Sequence, residues 1–442
     1  MLKRKIYDEL KAWKINSKGK TALLIEGARR IGKSTIVEEF AKNEYESYLI
    51  IDFAFARKEV KDLFLDLNDL NYFFMKLQLL YGVVLQDRNS LIIFDEVQFN
   101  PKARQAIKLL VKDGRYDYIE TGSLISINKN VKEILIPSEE RKLQMYPMDF
   151  EEFLWSMGDT ATISLLKDAL ISKKSLGQVV NREILKKFRL YMLIGGMPQA
   201  ILEYLNSNNL ELVDQVKRDI INLYEQDFYK IDSKGKISAI YDAIPSELNK
   251  HSKSYQVSSV LPNDRRQTIE DELAELISSR TVLPSYNLHD PNVGLSSLYN
   301  QNNFRLYNTD TGLLVTLMFK DKKFTENDIY KKLLSDKLPA NLGILYENII
   351  AQTLATNGYS LYYHTYYDNS KKRTYEIDFI ISKGSKILPI EVKSSNYRSH
   401  TSLDSFCEKY SNRISNKIVI HTKDLDFKNN TLYLPVFMTQ LL

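Results

Sequence analysis

Residue types and spacing suited to phosphate binding occur near the N-terminus, in the pattern Gly27-x4-Gly32-Lys33-Ser34. Glycines let the backbone curl so that consecutive N–H groups point at phosphate oxygens, and a following helix adds the positive end of its dipole. The lysine would neutralise the β- and γ-phosphates of a nucleoside triphosphate, and the serine hydroxyl would bind Mg²⁺. Thr35, in the helix that opens next, completes the predicted set. The pattern therefore predicts binding of ATP with Mg²⁺.

A pair of acidic residues, Asp95 and Glu96, follows the apolar run at 91–94. At the carboxyl end of a strand, Asp95 would hold Mg²⁺ through water and Glu96 would polarise the water that attacks the γ-phosphate. Such a pair also occurs as a helix N-cap, but its position downstream of the phosphate-binding pattern favours catalysis. Thr121 and Ser123 follow the next strand-like run. They are candidates to contact the γ-phosphate or the lytic water, although the same triplet is ordinary turn chemistry.

Near the C-terminus, two strand-like segments flank Gly384-Ser385, a favoured two-residue hairpin turn. Counting back from this turn along both strands places Asp378 directly opposite Glu391, with Lys393 on the same face. The other face is apolar and would be buried, with the pairs Ile377 and Val392, Phe379 and Ile390, and Ile381 and Leu388. Opposed carboxylates repel each other, and a divalent cation would offset that repulsion. A ladder of cross-strand ion pairs, with Lys393 facing Glu376, is the alternative.

The elements that must position the first group alternate between strand and helix. Strands are predicted at 21–25, 48–53, 91–94 and 116–120, with helical sequence between them. This alternation predicts an α/β domain with a parallel sheet, in which the phosphate-binding turn joins the first strand to a helix. From about 150 to 210 the pattern is helical, and the Gly195-Gly196 pair is expected to act as a structural joint.

The middle of the chain has short helical patterns followed by strand-like runs at 281–286 and 304–307. Helices followed by a hairpin suit a winged helix. Arg265 and Arg266 begin its candidate recognition helix, but carboxylates further along that helix would repel phosphate. Protein contact and DNA reading both stay open for this region, with protein contact favoured.

Several motifs occur in chain order: Gly-Ala-Arg-Arg-x-Gly-Lys-Ser at 27–34, Phe-Asp-Glu-Val-Gln at 94–98, Thr-Gly-Ser at 121–123, Tyr-Pro-Met-Asp-Phe-Glu-Glu-Phe at 146–153 and Gly-Gly-Met-Pro at 195–198. In these motifs the chain resembles the prokaryotic AAA-type ATPases that carry a C-terminal DUF4143 region. The resemblance implies an arginine near the nucleotide at Arg141. The family commonly has Gly-Arg there, whereas this chain has Glu140-Arg141. A nucleotide contact and a surface arginine are therefore both open for Arg141.

The C-terminal hairpin, with Asp378, Glu391-x-Lys393 and a glutamate-bearing helix upstream, resembles the core of the PD-(D/E)xK nuclease superfamily. Glu-x-Lys alone is expected about twice by chance in such a chain, so the register argument carries the weight. The resemblance implies that Asp378 and Glu391 bind metal and that Lys393 positions water or stabilises the pentavalent phosphate. It also implies that Glu347 completes the metal site.

Together these patterns predict four domains in an α/β chain of 442 residues. They are an AAA-type P-loop ATPase domain at 1–150, a helical lid at 151–232, a winged-helix-like domain at 233–334 and a restriction-endonuclease-like α/β domain at 335–442. The predicted function is ATP hydrolysis that controls a metal-dependent nuclease. The alternatives are a nucleotide switch or scaffold with an inactive nuclease-like domain, and a winged-helix DNA-binding regulator.

Composition limits the partners and the compartment. The net charge of +5 permits a nucleic-acid partner, with DNA favoured, but does not require one. The single cysteine, Cys407, rules out an internal disulfide and suits a reducing compartment. No run of about 18 apolar residues is present, so a soluble cytoplasmic protein without a membrane partner is expected. A protein partner of the middle region and assembly with further copies of the chain are compatible with these patterns.

Overall fold

The computed structural model describes residues 2–122, 135–250, 254–335, 343–368, 372–394 and 397–442. The chain forms two compact units. The first comprises Met1–Tyr146 with Ser278–Arg280, and the second comprises Pro147–Ile277 with Thr281–Leu442. No helix in the described ranges has both the length and the apolar composition needed to cross a membrane.

The first unit is built around a five-stranded sheet with the order β2-β3-β4-β1-β5. Every neighbouring pair in this sheet is parallel. The strands are β1 (Ala22–Glu26), β2 (Ser47–Asp52), β3 (Ser90–Asp95), β4 (Asp117–Gly122) and β5 (Glu140–Gln144). The helices are α1 (Ile6–Ser17), α2 (Lys33–Glu44), α3 (Lys58–Asp62), α4 (Leu70–Tyr81) and α5 (Pro101–Asp113). The predicted P-loop type α/β fold is confirmed.

The central strands β1, β3 and β4 are buried along their whole length. The apolar runs of β1 and β3 form strands because parallel sheets are covered on both faces, whereas β4 also buries Asp117, Glu120 and Thr121. On one face, Phe53, Phe64 and Phe94 pack edge to face with ring centroids 5.4 to 5.7 Å apart. This packing ties the carboxyl ends of β2 and β3 to the short turn at Leu63–Leu65.

The second unit begins with a helical region and ends with two sheets. Its helices are α6 (Phe150–Ser156), α7 (Thr162–Ser172), α8 (Gln178–Ile194), α9 (Pro198–Ser207), α10 (Leu210–Ile231), α11 (Lys236–Asp242), α12 (Ile244–Asn249), α13 (Val257–Val260), α14 (Glu270–Ser278), α15 (Thr311–Met318), α16 (Asn327–Leu334), α17 (Gly343–Thr356) and α18 (Thr401–Lys409). Its strands are β6 (Val282–Leu288), β7 (Tyr299–Asn308), β8 (Leu361–Asp368), β9 (Arg373–Ile377), β10 (Phe379–Lys383), β11 (Lys386–Lys393), β12 (Lys417–His421), β13 (Asp426–Lys428) and β14 (Thr431–Pro435).

One sheet of this unit has the order β7-β6-β8-β9, and the other has the order β10-β11-β12-β14-β13. The two strands predicted as a wing pair with each other as β6 and β7. However, β6 also pairs in parallel with β8, with Ser285 opposite Leu361. One sheet therefore crosses the predicted boundary between residues 334 and 335, and the structure does not separate the winged-helix-like region from the C-terminal region.

The predicted register of the C-terminal hairpin is confirmed from the turn back to its fifth pair. Lys383 lies opposite Lys386, Ile381 opposite Leu388 and Phe379 opposite Ile390. The prediction fails one residue further on, because the chain bends at Asp378 and β9 leaves for the other sheet. There Ile377 pairs with His364 rather than with Val392. Asp378 is therefore at a bend between two sheets and is not a ladder partner of Glu391.

The predicted joint at Gly195-Gly196 is a close backbone contact inside the second unit. A Cβ on Gly195, whose φ is 85°, would lie 2.2 Å from a carboxylate oxygen of Asp310, and one on Gly196 would lie 2.1 Å from the carbonyl oxygen of Met148. Asp310 accepts a hydrogen bond from the Gly196 N–H and caps α15 through the Leu313 N–H at 2.9 Å. Position 195 therefore excludes a side chain because the Asp310 carboxylate fills that space, and position 196 excludes one because the Met148 backbone does.

Candidate nucleotide site and carboxylate site

The phosphate-binding turn connects β1 to α2, as the sequence predicts. Gly32, with a φ of 91°, directly precedes α2, and Arg30 is also left-handed with a φ of 69°. A Cβ on Gly27 would lie 2.4 Å from the carbonyl oxygen of Met145. The turn is therefore confined on one side by the end of β5, so only glycine fits at position 27. Its backbone curls at the N-terminus of a twelve-residue helix, where anions are favoured.

Lys33 folds back onto this turn. Its Nζ donates to the carbonyl oxygens of Gly27 at 3.0 Å and of Ala28 at 2.8 Å. Burial lowers the pKa of Lys33 to about 8, and the negative charges of Glu96 and Asp95 oppose that lowering. Because charged phosphate oxygens are stronger acceptors than carbonyls, this ammonium is well placed to exchange partners when a nucleotide binds.

Asp95 is the point where the predicted nucleotide residues meet. Its Oδ1 accepts hydrogen bonds from Ser34 Oγ at 2.9 Å and from Thr121 Oγ1. Both Asp95 and Thr121 are buried at the carboxyl ends of β3 and β4. A hydroxyl and a carboxylate beside a phosphate-binding turn form the oxygen set that Mg²⁺ prefers when phosphates supply its other ligands. Ser34 and Asp95 would therefore hold the Mg²⁺.

Glu96 has a left-handed backbone with φ 50° and ψ 48°, an uncommon conformation for a residue other than glycine. Its carboxylate accepts a hydrogen bond from the side-chain amide of Gln98, which is 5% exposed and lies in the turn that follows. Backbone strain of this kind persists where surrounding contacts over-determine it. Gln98 therefore orients the carboxylate predicted to act on water. Gln98 belongs to the motif at 94–98, but the motif alone assigns it no role.

Two further predicted residues have different outcomes. Ser123 lies outside the described residues, so its contacts are not part of the structure. Arg141 is exposed on the edge strand β5, where it pairs in register with Leu23. Arg141 thus occupies a surface position, and a role for it in nucleotide contact stays a prediction.

The residue that replaces the family's glycine, Glu140, belongs to a buried charged group. Arg104 of α5 donates to both oxygens of Glu140, at 2.9 and 2.8 Å. Glu120, fully buried in β4, lies beside them, and burial together with the charge of Glu140 raises the pKa of Glu120 well above its ordinary value. The group therefore places two acids beside one guanidinium in the interior of the unit. The only sign of this buried group in the sequence is Glu140, which stands where the family commonly has glycine before the arginine.

The second site draws on elements far apart in the chain. Glu347 lies on α17, Glu376 on β9, Asp378 at the bend after β9, and Glu391 and Lys393 on β11. Burial raises the pKa of Asp378 well above its ordinary value, and the charges of Glu347, Glu376 and Glu391 add to this rise. The predicted carboxylates Glu347, Asp378 and Glu391 are therefore close enough to interact, even though the predicted ladder pair does not form.

Asp378 and Glu391 are each held by backbone donors. Oδ2 of Asp378 accepts from the Val392 N–H at 2.7 Å, in the place that a ladder partner would occupy. Glu391 is 4% exposed, and its Oε2 accepts from the Leu403 N–H in the first turn of α18 at 3.2 Å. Lys393 Nζ pairs with Glu391 Oε1 at 2.7 Å. The predicted lysine therefore contacts a predicted carboxylate, and Glu376 has a different cation.

That cation is Arg305 on β7, which sequence reasoning missed. Its guanidinium pairs with Oε1 of Glu376 and lies 4.5 Å from the centre of the Tyr363 ring. A cavity of about 230 Å³ opens beside Arg305, Glu347 and Glu376. No local pattern around residue 305 signals this contact, since it depends on the pairing of β6 with β8.

The carboxylates have the chemistry of a metal site but not the arrangement of one. Within the described ranges, no group of three or more His, Cys, Asp or Glu side chains is placed to hold a metal ion. Glu391 points to Lys393 and Glu376 to Arg305. Two of the four acids are thus directed at side-chain cations. The predicted metal ligation by Glu347, Asp378 and Glu391 does not fit this arrangement.

The candidate recognition helix of the middle region uses one of its arginines internally. Arg266 lies 3.6 Å from Glu270 and packs over the Phe304 ring at 5.7 Å, whereas Arg265 is exposed. One exposed arginine beside a carboxylate-rich helix is a weak phosphate-binding surface. DNA reading by this region stays a prediction.

Three sequence families match parts of the chain. An AAA domain matches residues 19–154, a domain of unknown function (DUF8612) matches residues 185–323, and another domain of unknown function (DUF4143) matches residues 342–438. No curated protein matches the chain. The AAA and DUF4143 domains in one chain confirm the predicted resemblance, and the AAA domain gives the chain an ATPase module at family level.

Three solved structures are similar to the chain at low identity. The Walker-type ATPase of Pyrococcus abyssi is 14% identical over 72% of this chain and 96% of its own, with a TM-score of 0.44. The RuvB Holliday junction branch migration motor of Thermotoga maritima is 12% identical over 64% and 89%, with a TM-score of 0.31. A STAND protein with a tetratricopeptide repeat sensor from Pyrococcus horikoshii is 11% identical over 80% and 45%, with a TM-score of 0.29.

Proposed function

We propose that this chain, which joins an AAA domain to a DUF4143 domain, hydrolyses ATP with Mg²⁺ in its first unit and thereby controls a nuclease-like site in its second. The observation that carries the ATPase part is the meeting of Ser34 and Thr121 on one oxygen of Asp95. These three side chains come from a helix start and two strand ends, and they converge beside the phosphate-binding turn.

In this proposal each residue has one task. The turn's N–H groups and Lys33 bind the phosphates, and Ser34 and Asp95 hold Mg²⁺. Bound Mg²⁺ would neutralise charge on the β- and γ-phosphate oxygens. Glu96 orients a water toward the γ-phosphate and draws off its proton, with Gln98 holding the carboxylate in position. Thr121 positions Asp95 and reports on the γ-phosphate.

The nuclease part is supported by the carboxylates around Asp378. A cluster of acids with a neighbouring lysine suits phosphodiester chemistry, in which cations offset the charge of the substrate. Nucleic acid, with DNA favoured, is therefore the proposed partner. Because these carboxylates are not gathered around one point, the roles of Asp378, Glu391, Lys393 and Glu347 in that chemistry rest on the resemblance to the PD-(D/E)xK core.

The deciding experiment measures ATP turnover and nucleic-acid cleavage on the same preparations of the full chain. Wild type, Glu96→Gln and Asp378→Asn are assayed with Mg²⁺ or Mn²⁺, with and without ATP, on single-stranded DNA, double-stranded DNA and RNA. We expect Glu96→Gln to lose about a hundred-fold in ATP turnover while still binding ATP. We expect Asp378→Asn to lose cleavage and keep ATP turnover. Absence of cleavage by wild type on every substrate contradicts the nuclease part.

A second candidate function is favoured by the ion pairs of Glu376 with Arg305 and of Glu391 with Lys393. Acids that are already paired with side-chain cations suit a nucleotide-dependent scaffold whose nuclease-like domain only binds a partner. This alternative expects that Lys33→Ala abolishes the biological output, whereas Asp378→Asn leaves it unchanged.

A further inference from the structure

Arg4, which precedes α1, binds two backbone carbonyls of the first unit that are far apart in the chain. The residue is buried, with 7% of its surface exposed. One terminal nitrogen of its guanidinium donates to the carbonyl oxygen of Ile31 at 2.9 Å, and the other donates to that of Tyr146 at 2.7 Å. Because the guanidinium is planar and rigid, it holds the two carbonyls at a fixed separation. The AAA match begins at residue 19, so Arg4 lies outside it.

The first of these carbonyls belongs to the phosphate-binding turn. In a trans peptide the C=O and the N–H lie in one plane and point in opposite directions. The Ile31 carbonyl faces Arg4, so the Gly32 N–H of the same peptide faces away from Arg4. Gly32 directly precedes α2, where backbone N–H groups bind phosphate oxygens. Arg4 therefore fixes the orientation of one donor of the turn.

The second carbonyl marks the place where the chain leaves the first unit. Tyr146 ends the first segment of that unit, and Pro147 begins the second unit. The next residue, Met148, is held within the second unit at both of its backbone groups. Its N–H donates to the Gly196 carbonyl oxygen at 2.7 Å, and its own carbonyl oxygen accepts from the Tyr191 hydroxyl at 2.8 Å. A displacement of Tyr146 is therefore passed through Pro147 alone to a residue that the second unit holds.

Nucleotide binding would change the contacts of the same turn. Lys33 binds two carbonyls of the turn, and charged phosphate oxygens would replace them as its acceptors. The turn also lies directly against the residue that follows β5, since a Cβ on Gly27 would be 2.4 Å from the Met145 carbonyl oxygen. A shift of the turn therefore reaches the end of β5 at two points, directly at Gly27 and through Arg4 at Ile31.

We propose that Arg4 is a positioning residue that links the phosphate-binding turn to the chain exit at Tyr146, so that ATP binding in the first unit is transmitted to the second. This proposal rests on the ATP-controlled function proposed above and names the residue that carries the control. One end of the guanidinium orients the peptide between Ile31 and Gly32, and the other end moves the Tyr146 carbonyl when the turn moves. An arginine with only a structural role would affect the stability of the unit, but not the response of the second unit to ATP.

The test follows ATP binding by the full chain at two places. All proteins carry Glu96→Gln to slow turnover and Trp13→Phe, which leaves Trp155 in α6 as the tryptophan. Titration calorimetry measures ATP affinity with Mg²⁺, and Trp155 fluorescence reports the response of the second unit. The reference protein with Arg4 should change its Trp155 emission on saturation with ATP. Arg4→Ala should bind ATP about ten-fold more weakly and lose most of that change, even at saturation.

Two further variants and a rescue separate positioning from folding, and circular dichroism verifies each fold. Arg4→Lys keeps the charge but offers one nitrogen in place of two, so it should show about half of the reference change or less. Arg88→Ala is the matched control, because Arg88 also donates to a carbonyl of the first unit, that of Gly114 at 3.1 Å. It should leave both readouts unchanged. Guanidinium ion, added below its denaturing range, should restore part of the Trp155 change in Arg4→Ala.

The outcomes separate this link from the function on which it rests. A full Trp155 change in folded Arg4→Ala or Arg4→Lys protein overturns the link, and ATP turnover by wild type then still supports the ATPase. A reference protein whose Trp155 emission does not respond to bound ATP also overturns the link. An Arg4-dependent Trp155 change on ATP binding, without ATP turnover by wild type, supports the link and contradicts the ATP hydrolysis proposed above.

Discussion

The nucleotide site and the carboxylate site both gather acidic residues, but they assemble and neutralise them differently. In the nucleotide site, Lys33 and Ser34 begin α2 directly after the phosphate-binding turn, and the acids Asp95 and Glu96 are adjacent at the end of β3. In the carboxylate site, separate strands bring two cations, each directed at one acid. A site made by one turn depends on local backbone, whereas a site made between strands depends on the pairing of whole sheets.

The largest expected effect tests whether the nucleotide site depends on one local side chain. Lys33→Ala should lower ATP turnover by about a thousand-fold, because it removes the cation aimed at the transferred phosphate. A coupled assay of phosphate release measures this change. Lys42→Ala on the same helix, which removes an exposed lysine paired with Glu38, is the control and should change turnover little. Similar losses in both variants would contradict a local site.

The second effect tests whether the other unit depends on close approach between distant segments. Gly196→Ala should lower the free energy of unfolding of that unit by about 3 kcal/mol, because its Cβ would lie 2.1 Å from the Met148 carbonyl oxygen. Urea unfolding followed by Trp155 fluorescence, in a Trp13→Phe background, measures the loss. Gly358→Ala, with a φ of 87° and open space around its Cβ, should lose only about 1 kcal/mol. Equal losses would show that backbone strain alone matters.

A smaller effect concerns the carboxylate that acts on water. Gln98→Ala should lower ATP turnover by about ten-fold and leave ATP affinity unchanged, because Glu96 loses the amide that orients it. Turnover and nucleotide binding, measured separately, distinguish positioning from folding. Gln86→Ala, an exposed glutamine of the same unit, is the control. A change in ATP affinity without a change in turnover would rule out the positioning role.

The smallest effect tests the raised pKa of Glu120. Burial raises the pKa of Glu120 in the folded chain above its ordinary value of 4.5. At a pH between these two pKa values, folding takes up a proton, so the free energy of unfolding falls as the pH rises. The expected slope is about 1 kcal/mol per pH unit. Urea unfolding at several pH values, followed by Trp13 in a Trp155→Phe background, measures it. Glu120→Gln should remove most of the slope, and an unchanged slope would mean that the raised pKa of Glu120 does not cause it.

The placement of the first site's residues follows from the sequence because each of its segments has a local pattern. The turn, the apolar strand before Asp95 and the strand before Thr121 each have a local pattern, and parallel strands bring their carboxyl ends together. The short, polar edge strand β5 had no such pattern and was not predicted. The contact between Gln98 and Glu96 could not be predicted from the sequence. It depends on the left-handed backbone of Glu96, which residue type alone does not indicate.

The second site could be predicted only as far as the hairpin register extends. Pairing from the Gly384-Ser385 turn holds to Phe379, because each pair follows from the one before it. It stops at Asp378, where the carboxylate takes the Val392 N–H and the chain passes to another sheet. Arg305 was out of reach for a further reason. Its contact depends on β6 pairing with β8, and parallel partners separated by many residues leave no local trace.

The pairing of β6 with β8 also limits how this chain can recombine. A segment exchanged between related chains from residue 343 onward would bring new strands β8 to β14. The recipient chain would keep its own β6, which pairs with β8, and its own β7, which carries Arg305. The incoming acids would then meet an arginine that had not been selected with them. An exchange that begins before β6 at Val282 keeps acid and base together. Residues 282–442 should therefore be inherited as a block.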